Sequence, residues 1–286
     1  MLRRHLRYTA YQMSHINFSE LLDRAITAQN SLVCVGLDPE PEHFPSAIKN
    51  HPRAIFKFNR EIIDATADLV CAYKPQIAHY AALGAEDQLM ETITYIRQHA
   101  PTIPIILDSK RGDIGNTAKK YAYEAFERYG ADAVTINPYL GFDAAEPFLK
   151  YAHKGIVVLC RTSNAGAHEF QNLVVEGKKL YQIVAEHVAE RWNKNGNCLL
   201  VVGATHPTEL ADIRARTGEM TFLVPGVGAQ GGDVALAVKN GQTKNGRGIV
   251  INSSRGIIYS SSGADFADAA RSATLELRTT INLNRY

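Results

Sequence analysis

Short, uninterrupted apolar runs alternate along the chain with longer stretches in which apolar residues recur every three or four positions. The runs read as strands: SLVCVGL (31–37), LVCAYKP (69–75), IPIILDSK (103–110), DAVTIN (132–137), GIVVLC (155–160), CLLVVGA (198–204), TFLVP (221–225) and GIVIN (248–252). Amphipathic spacing predicts helices between them, among them Ala54–Asp68, Asp87–His99, Thr117–Tyr129, Lys178–Asn193 and Ala264–Arg278. Strands that alternate with helices pair in parallel. Apolar runs without polar alternation are what a sheet covered on both faces requires. Eight such strands close most simply into a (β/α)8 TIM barrel, with an open doubly wound sheet as the alternative.

The length of 286 residues suits such a barrel, and no internal repeat, linker or low-complexity stretch divides it. Residues 17–286 are therefore read as one catalytic barrel domain and residues 1–16 as a disordered leader. The first 13 residues, MLRRHLRYTAYQM, are rich in arginine and contain no acid. A transit peptide, or a start codon ahead of the true Met13, are alternative readings of them.

A formal net charge of +2 implies no polyanion-binding surface, so nucleic acid is not expected as a partner. The ten histidines form no HxH or HExxH, and no metal site is expected. Cys34, Cys71, Cys160 and Cys198 each lie in or beside an apolar segment and form no CxxC pair. They read as reduced core cysteines of a cytoplasmic protein. No apolar run approaches the roughly 18 residues that would span a membrane.

In a barrel, the residues just past each strand share one rim, where catalytic groups gather. Polar and charged residues fall there: Asp38 after the first strand, Lys74 at the end of the second, Asp108 and Lys110 on the third. Next come Asn137 after the fourth, Thr162-Ser163-Asn164 after the fifth, and Asn252-Ser253-Ser254-Arg255 at the end of the eighth. Asp108 and Lys110 are two apart and should share a strand face. With Asp38, Lys74 and Asp113 they could form an array in which carboxylates keep a lysine protonated. Such an ammonium can stabilise a developing carbanion and then protonate it. A salt-bridge network closing the barrel mouth is the simpler reading of a lone D-x-K.

The stretch GVGAQG (226–231) matches G-x-G-x-x-G, but it follows the seventh strand and no acid lies about 20 residues on to take a ribose hydroxyl. A loop approaching phosphate fits better, since barrels bind phosphate after strands seven and eight. Arg255 supplies a planar fork suited to phosphate oxygens, and Gln230 a second donor. Lys57 sits on the first helix after strand one and reads as a solvated residue away from the rim.

Taken together, VGLDP, AYKPQIAHYAALG, ILDSKRGDIGNTA, VTINPYLGFD, VLCRTSNAGA, VVGAT, LVPGVGAQGGD and SSRGIIY resemble the orotidine 5′-monophosphate decarboxylases, specifically the bacterial branch with a D-x-K-R-G-D-I signature. The resemblance runs from about Asn17 to Tyr259. It implies conversion of orotidine 5′-phosphate to UMP and CO2, the last step of de novo UMP synthesis, without metal or organic cofactor. Lys110 would protonate C6 of the pyrimidine, and Asp108 would lie beside the departing carboxylate. Asp113 would reach in from the other subunit of a homodimer with shared active sites, with Thr117 nearby. Lys74 and Asp38 would bind ribose hydroxyls, and Lys74 would also complete the charge array. Ser163 would read the pyrimidine; Gln230, Ser254 and Arg255 would hold the phosphate. Two alternatives are a magnesium-dependent sugar-phosphate decarboxylase or lyase on a related barrel, and a non-catalytic phosphate-ligand binding barrel.

Overall fold

The computed structural model describes residues 16–227 and 231–285. The expected leader, apart from Ile16, and Gln230 lie outside the described residues. Eight strands form the sheet: β1 (Val33–Leu37), β2 (Ala72–Pro75), β3 (Ile106–Arg111), β4 (Ala133–Ile136), β5 (Gly155–Arg161), β6 (Cys198–Val202), β7 (Phe222–Val224) and β8 (Ile249–Ser253). They pair in parallel in the order β2-β1-β8-β7-β6-β5-β4-β3. The parallel bridges Tyr73–Ile105 and Gln76–Asp108 join β2 to β3. The ring is thus closed, and the open-sheet alternative falls. Closure buries both faces of each strand, which is why the strands are apolar throughout rather than alternating.

The helices follow the apolar spacing. Ala54–Thr66 buries Ile55, Phe58, Asn59, Ile62, Ile63 and Thr66 on one face. The helix expected from Lys178 begins instead at Leu180. Lys178–Lys179 pair antiparallel with Val174–Val175 in a small hairpin, and the Gln182 side chain accepts the Lys179 N–H at 2.8 Å to start the helix. The two helices expected to run to Tyr129 and Asn193 each end in a wider π turn, Glu124–Arg128 and Val188–Trp192. The last helix, Phe266–Leu283, runs past the expected end at Arg278.

An extra helix, Phe18–Gln29, precedes β1; the Asn17 side chain caps it by accepting the Glu20 N–H at 2.9 Å. Its Phe18 closes the N-terminal end of the barrel. The Phe18 N–H donates to the His153 carbonyl at 2.9 Å, and a Cβ placed on Gly155 would lie 2.4 Å from the Phe18 ring. Burying that ring contributes about 1.5–3 kcal/mol. The other end of the chain arrives at the same face. Arg285 donates to the Gly246 carbonyl at 2.9 Å and Asn282 to the Asn30 carbonyl at 2.8 Å, just ahead of β8 and β1. The C-terminal face of the barrel is left for the site.

Candidate active site

The site is organised by an irregularity in β3. Leu107 pairs with Val134 of β4, yet the next pair is Arg111 with Ile136. Asp108, Ser109 and Lys110 therefore face a single β4 residue, Thr135. The strand bulges, and Lys110 takes φ +47°, a left-handed conformation uncommon for a residue with a Cβ. Two-residue spacing alone does not align Asp108 with Lys110, because a regular strand is absent there. Both side chains reach the same cavity through the bulge.

The Asp108 carboxylate is the centre of the array. Lys110 Nζ donates to Oδ1 at 2.8 Å and Lys74 Nζ to Oδ2 at 2.9 Å. The Thr135 hydroxyl donates to Oδ1 at 2.8 Å and itself accepts the N–H groups of Ser109 and Lys110, each at 2.9 Å. Asp108 is 7% exposed and Lys74 4%. Burial works against charge on Asp108, but the two ammonium groups outweigh it and hold its pKa well below the usual carboxylate range. Burial likewise opposes the Lys74 cation, and Asp108 with Asp38 overcomes it, raising the Lys74 pKa. Cys34, near Lys74, has its thiol pushed up to about 12 by burial. All four cysteines are buried and free.

Arg111 turns away from this array. It pairs with Glu124 at 2.9 Å and lies over the Tyr121 ring, 4.5 Å from its centroid. The two bases of the DSKRGD stretch thus divide their work: Lys110 faces the cavity, and Arg111 braces β3 against the following helix.

A cavity of about 640 Å³ opens on this rim, and Asp38, Lys74, Asp108, Lys110, Ser163, Ser254 and Arg255 all line it. Seven of the ten expected site residues therefore meet in one chain. Asp113 and Thr117 do not line it. Asp113 Oδ1 accepts its neighbour Ile114 N–H at 2.8 Å, and Thr117 is exposed on Gly115–Tyr123. Lys57 is half-buried on Ala54–Thr66 and does not line the cavity.

The far walls are set by close backbone approach. A Cβ on Gly36 would sit 1.8 Å from Ser254 Oγ, so only glycine lets the ends of β1 and β8 come together. Beyond Gly36, the Tyr259 hydroxyl donates to the Asp38 carbonyl at 3.0 Å and accepts the Glu40 N–H at 2.6 Å. That ties the segment after Arg255 to the loop bearing Asp38. Asp38 Oδ1 and Asn252 Oδ1 are buried without a hydrogen-bond partner among the described residues, and both residues line the cavity. Unpaired oxygens in a cavity wall are places for donors of a ligand. Arg255 is exposed and makes no ion pair among the described residues.

The loop after β5 is held by Gln171. Its Oε1 accepts the Thr162 N–H at 2.9 Å, and its Nε2 donates to Thr162 Oγ1 at 2.8 Å. Thr162 Oγ1 in turn donates to Asn164 Oδ1 at 2.7 Å, which presents Ser163 between two fixed neighbours.

Asn252, at the end of the eighth strand, lines the cavity as the strand-end reading placed it, whereas Thr135, Gln171 and Tyr259 are the site residues that sequence reasoning missed. Only their polarity inside or beside apolar runs could have drawn attention to them. Among the described residues, Glu40, Glu42 and His43 bring ligand-type atoms within 4.8 Å of one another; Glu40 lines the cavity, whereas Glu42 and His43 are exposed and do not.

Fold and site define a (β/α)8-barrel enzyme with a buried acid–lysine array. The model of the family described as "Orotidine 5'-phosphate decarboxylase / HUMPS family" matches residues 31–270, and the chain belongs to that family. It is 57% identical over 272 residues to the orotidine 5′-phosphate decarboxylase of Cellvibrio japonicus, covering 94% of this chain and 100% of that one. It is 56% identical over 267 residues to the protein of the same name from Janthinobacterium sp., covering 93% of this chain and 98% of the relative. Among solved structures, Leishmania donovani OMP decarboxylase superposes with a TM-score of 0.80 at 38% identity, covering 93% of this chain and 99% of that chain.

Proposed function

We propose that the chain decarboxylates orotidine 5′-phosphate to UMP and CO2, with Lys110 as the proton donor. The observation that carries the reading is Asp108 clamped between Lys74 and Lys110 at 2.9 and 2.8 Å. Breaking the bond from C6 to the carboxylate releases CO2 and leaves an electron pair on C6. No ring substituent can take up that pair, so the protein must stabilise it. The Lys110 ammonium supplies the charge and then the proton, leaving a neutral amine that solvent reprotonates. Asp108 sits where the substrate carboxylate departs and keeps Lys110 aimed.

Lys74 and Asp38 are assigned to the ribose hydroxyls, for which the unpaired Asp38 Oδ1 is a ready acceptor. Ser163 reads the pyrimidine. Arg255, Ser254 and Gln230 hold the phosphate, and that grip helps organise the site around the reacting carbon. Magnesium chemistry is disfavoured by the array itself. Both Asp108 oxygens already accept from ammonium groups, which would repel a cation.

Asp113 and Thr117 are assigned to the site of a second subunit. Their surroundings support this: Ile114, Tyr123, Tyr139, Leu140 and Phe142 are all exposed on the loops and helices after β3 and β4. Apolar side chains gathered on one flank suit a two-fold interface. The enzyme is placed in the cytoplasm, which buried free cysteines fit. Among the described residues no helix is long and apolar enough to cross a membrane.

A spectrophotometric assay with orotidine 5′-phosphate, with and without chelator, tests the activity. Substrate left unconverted would overturn the reading, and turnover restored only by magnesium would move it to the metal-dependent lyases. Mixing Lys110→Ala and Asp113→Ala chains by co-expression tests the shared site. Random assortment makes half the dimers mixed, each with one intact site, so activity should recover to about a quarter of wild type. Verified mixed dimers with no recovery would place both residues in one chain's site.

A further inference from the structure

We infer that Thr135, an uncharged residue of β4, is the positioning residue that fixes Asp108 and Lys110 relative to each other for the proton transfer. A threonine hydroxyl has one proton and two lone pairs. The Ser109 and Lys110 N–H groups, each at 2.9 Å, occupy the lone pairs. The proton then has one direction left, to Asp108 Oδ1 at 2.8 Å. The hydroxyl is locked at both ends.

Its two acceptor bonds satisfy N–H groups that the bulge withdraws from the β3–β4 ladder. They also fasten the backbone of Lys110 in its left-handed conformation, which a residue with a Cβ does not keep without support. The donor bond falls on the oxygen that Lys110 Nζ also uses. When Lys110 surrenders its proton it no longer holds that oxygen by charge. Thr135 still does, so the carboxylate keeps its orientation through the step. Thr135 is 1% exposed and does not line the cavity, so it acts through its neighbours and not on the substrate.

This inference rests on the decarboxylase reading. A wild-type chain inactive on orotidine 5′-phosphate defeats that reading, whereas an active wild type with a fully active variant defeats this inference alone. The test is Thr135→Val, which keeps the shape and removes the hydroxyl, beside Thr135→Ser, which restores it. The valine protein should lose about a hundredfold in kcat, the scale of a misplaced reacting group. Its KM and UMP affinity should stay within about threefold, because the binding residues are untouched. The acid limb of its pH profile should move to higher pH, since the Asp108 anion has lost a donor. The serine protein should keep most of kcat. If the valine protein does not fold, Thr135→Ala, which also removes the hydroxyl, reads the same quantity. Folded valine or alanine protein with kcat within threefold of wild type overturns the inference. So does a serine protein that binds UMP normally but has lost kcat, or a loss confined to KM and stability.

Discussion

At the end of β3 each charged group facing the cavity has its partner inside the chain: Asp108 with Lys74, Lys110 and Thr135. Across the cavity Arg255 is exposed and pairs with nothing among the described residues. The β3 wall is organised before substrate arrives, so its dipoles need no rearrangement when charge develops on carbon. On the assignment proposed above, the Arg255 wall, whose cation has no ion-pair partner among the described residues, takes the phosphate in charge-assisted hydrogen bonds. On that assignment chemistry and grip are built in opposite ways, one closed on itself and one left open. Variants on the two walls should therefore fail in different kinetic constants.

The largest effect should come from Lys110→Ala. With the proposed proton donor and its charge both gone, kcat should fall by about 10⁴ or more. UMP binding by calorimetry should change little, because Lys110 is on the chemical wall. An equal loss in both would erase the contrast between the walls.

Asp108→Asn should cost stability as well as rate. It removes the carboxylate bonded to the buried Lys74 cation and leaves Asp38 as the remaining nearby counter-charge, and breaking such a pair costs about 3–5 kcal/mol. Urea unfolding at neutral pH measures the difference. The folded pKa of Asp108 is depressed, so its contribution is fully present above the ordinary carboxylate range near pH 4. It is lost progressively as the pH falls below that range toward the folded value. The gap between wild type and Asp108→Asn should therefore narrow on acidification; a gap independent of pH would mean the carboxylate charge is not what stabilises the array.

On the open wall, Arg255→Ala should raise KM by about 10- to 100-fold, the loss of charge-assisted hydrogen bonds, with a smaller change in kcat. Steady-state kinetics separates the two, and a loss wholly in kcat would move Arg255 to the chemical wall. Smallest of all is Arg247→Ala. Its pairing with the exposed Asp23 lies at the far end of the barrel, so it should cost no more than about 1 kcal/mol in urea and leave turnover unchanged.

Much of this was legible from residue order. The eight apolar runs contain the eight strands, except that β3, β5 and β8 each run one residue further, to Arg111, Arg161 and Ser253. Strand-end polarity located the cavity because a closed parallel ring delivers all its C-terminal ends to one rim. Local hydrogen bonding hid the rest. The bulge at Asp108–Lys110 depends on a hydroxyl from another strand, and no periodicity within β3 announces it. The hairpin that shortens the helix expected from Lys178 turns on Glu176 and Gly177, both at positive φ. Thr135 looks like an ordinary strand residue until the ring is closed and its hydroxyl meets the bulge of β3.

Phe18 and Arg285 are both anchored on the barrel floor, the face opposite the reactive cavity. For protein engineering this makes the molecule a cup with both handles underneath. An affinity tag, a tether to a solid support or a second enzyme joined directly at Phe18 or Arg285 would start from the floor. Such a junction lies on the face opposite the mouth of the cavity.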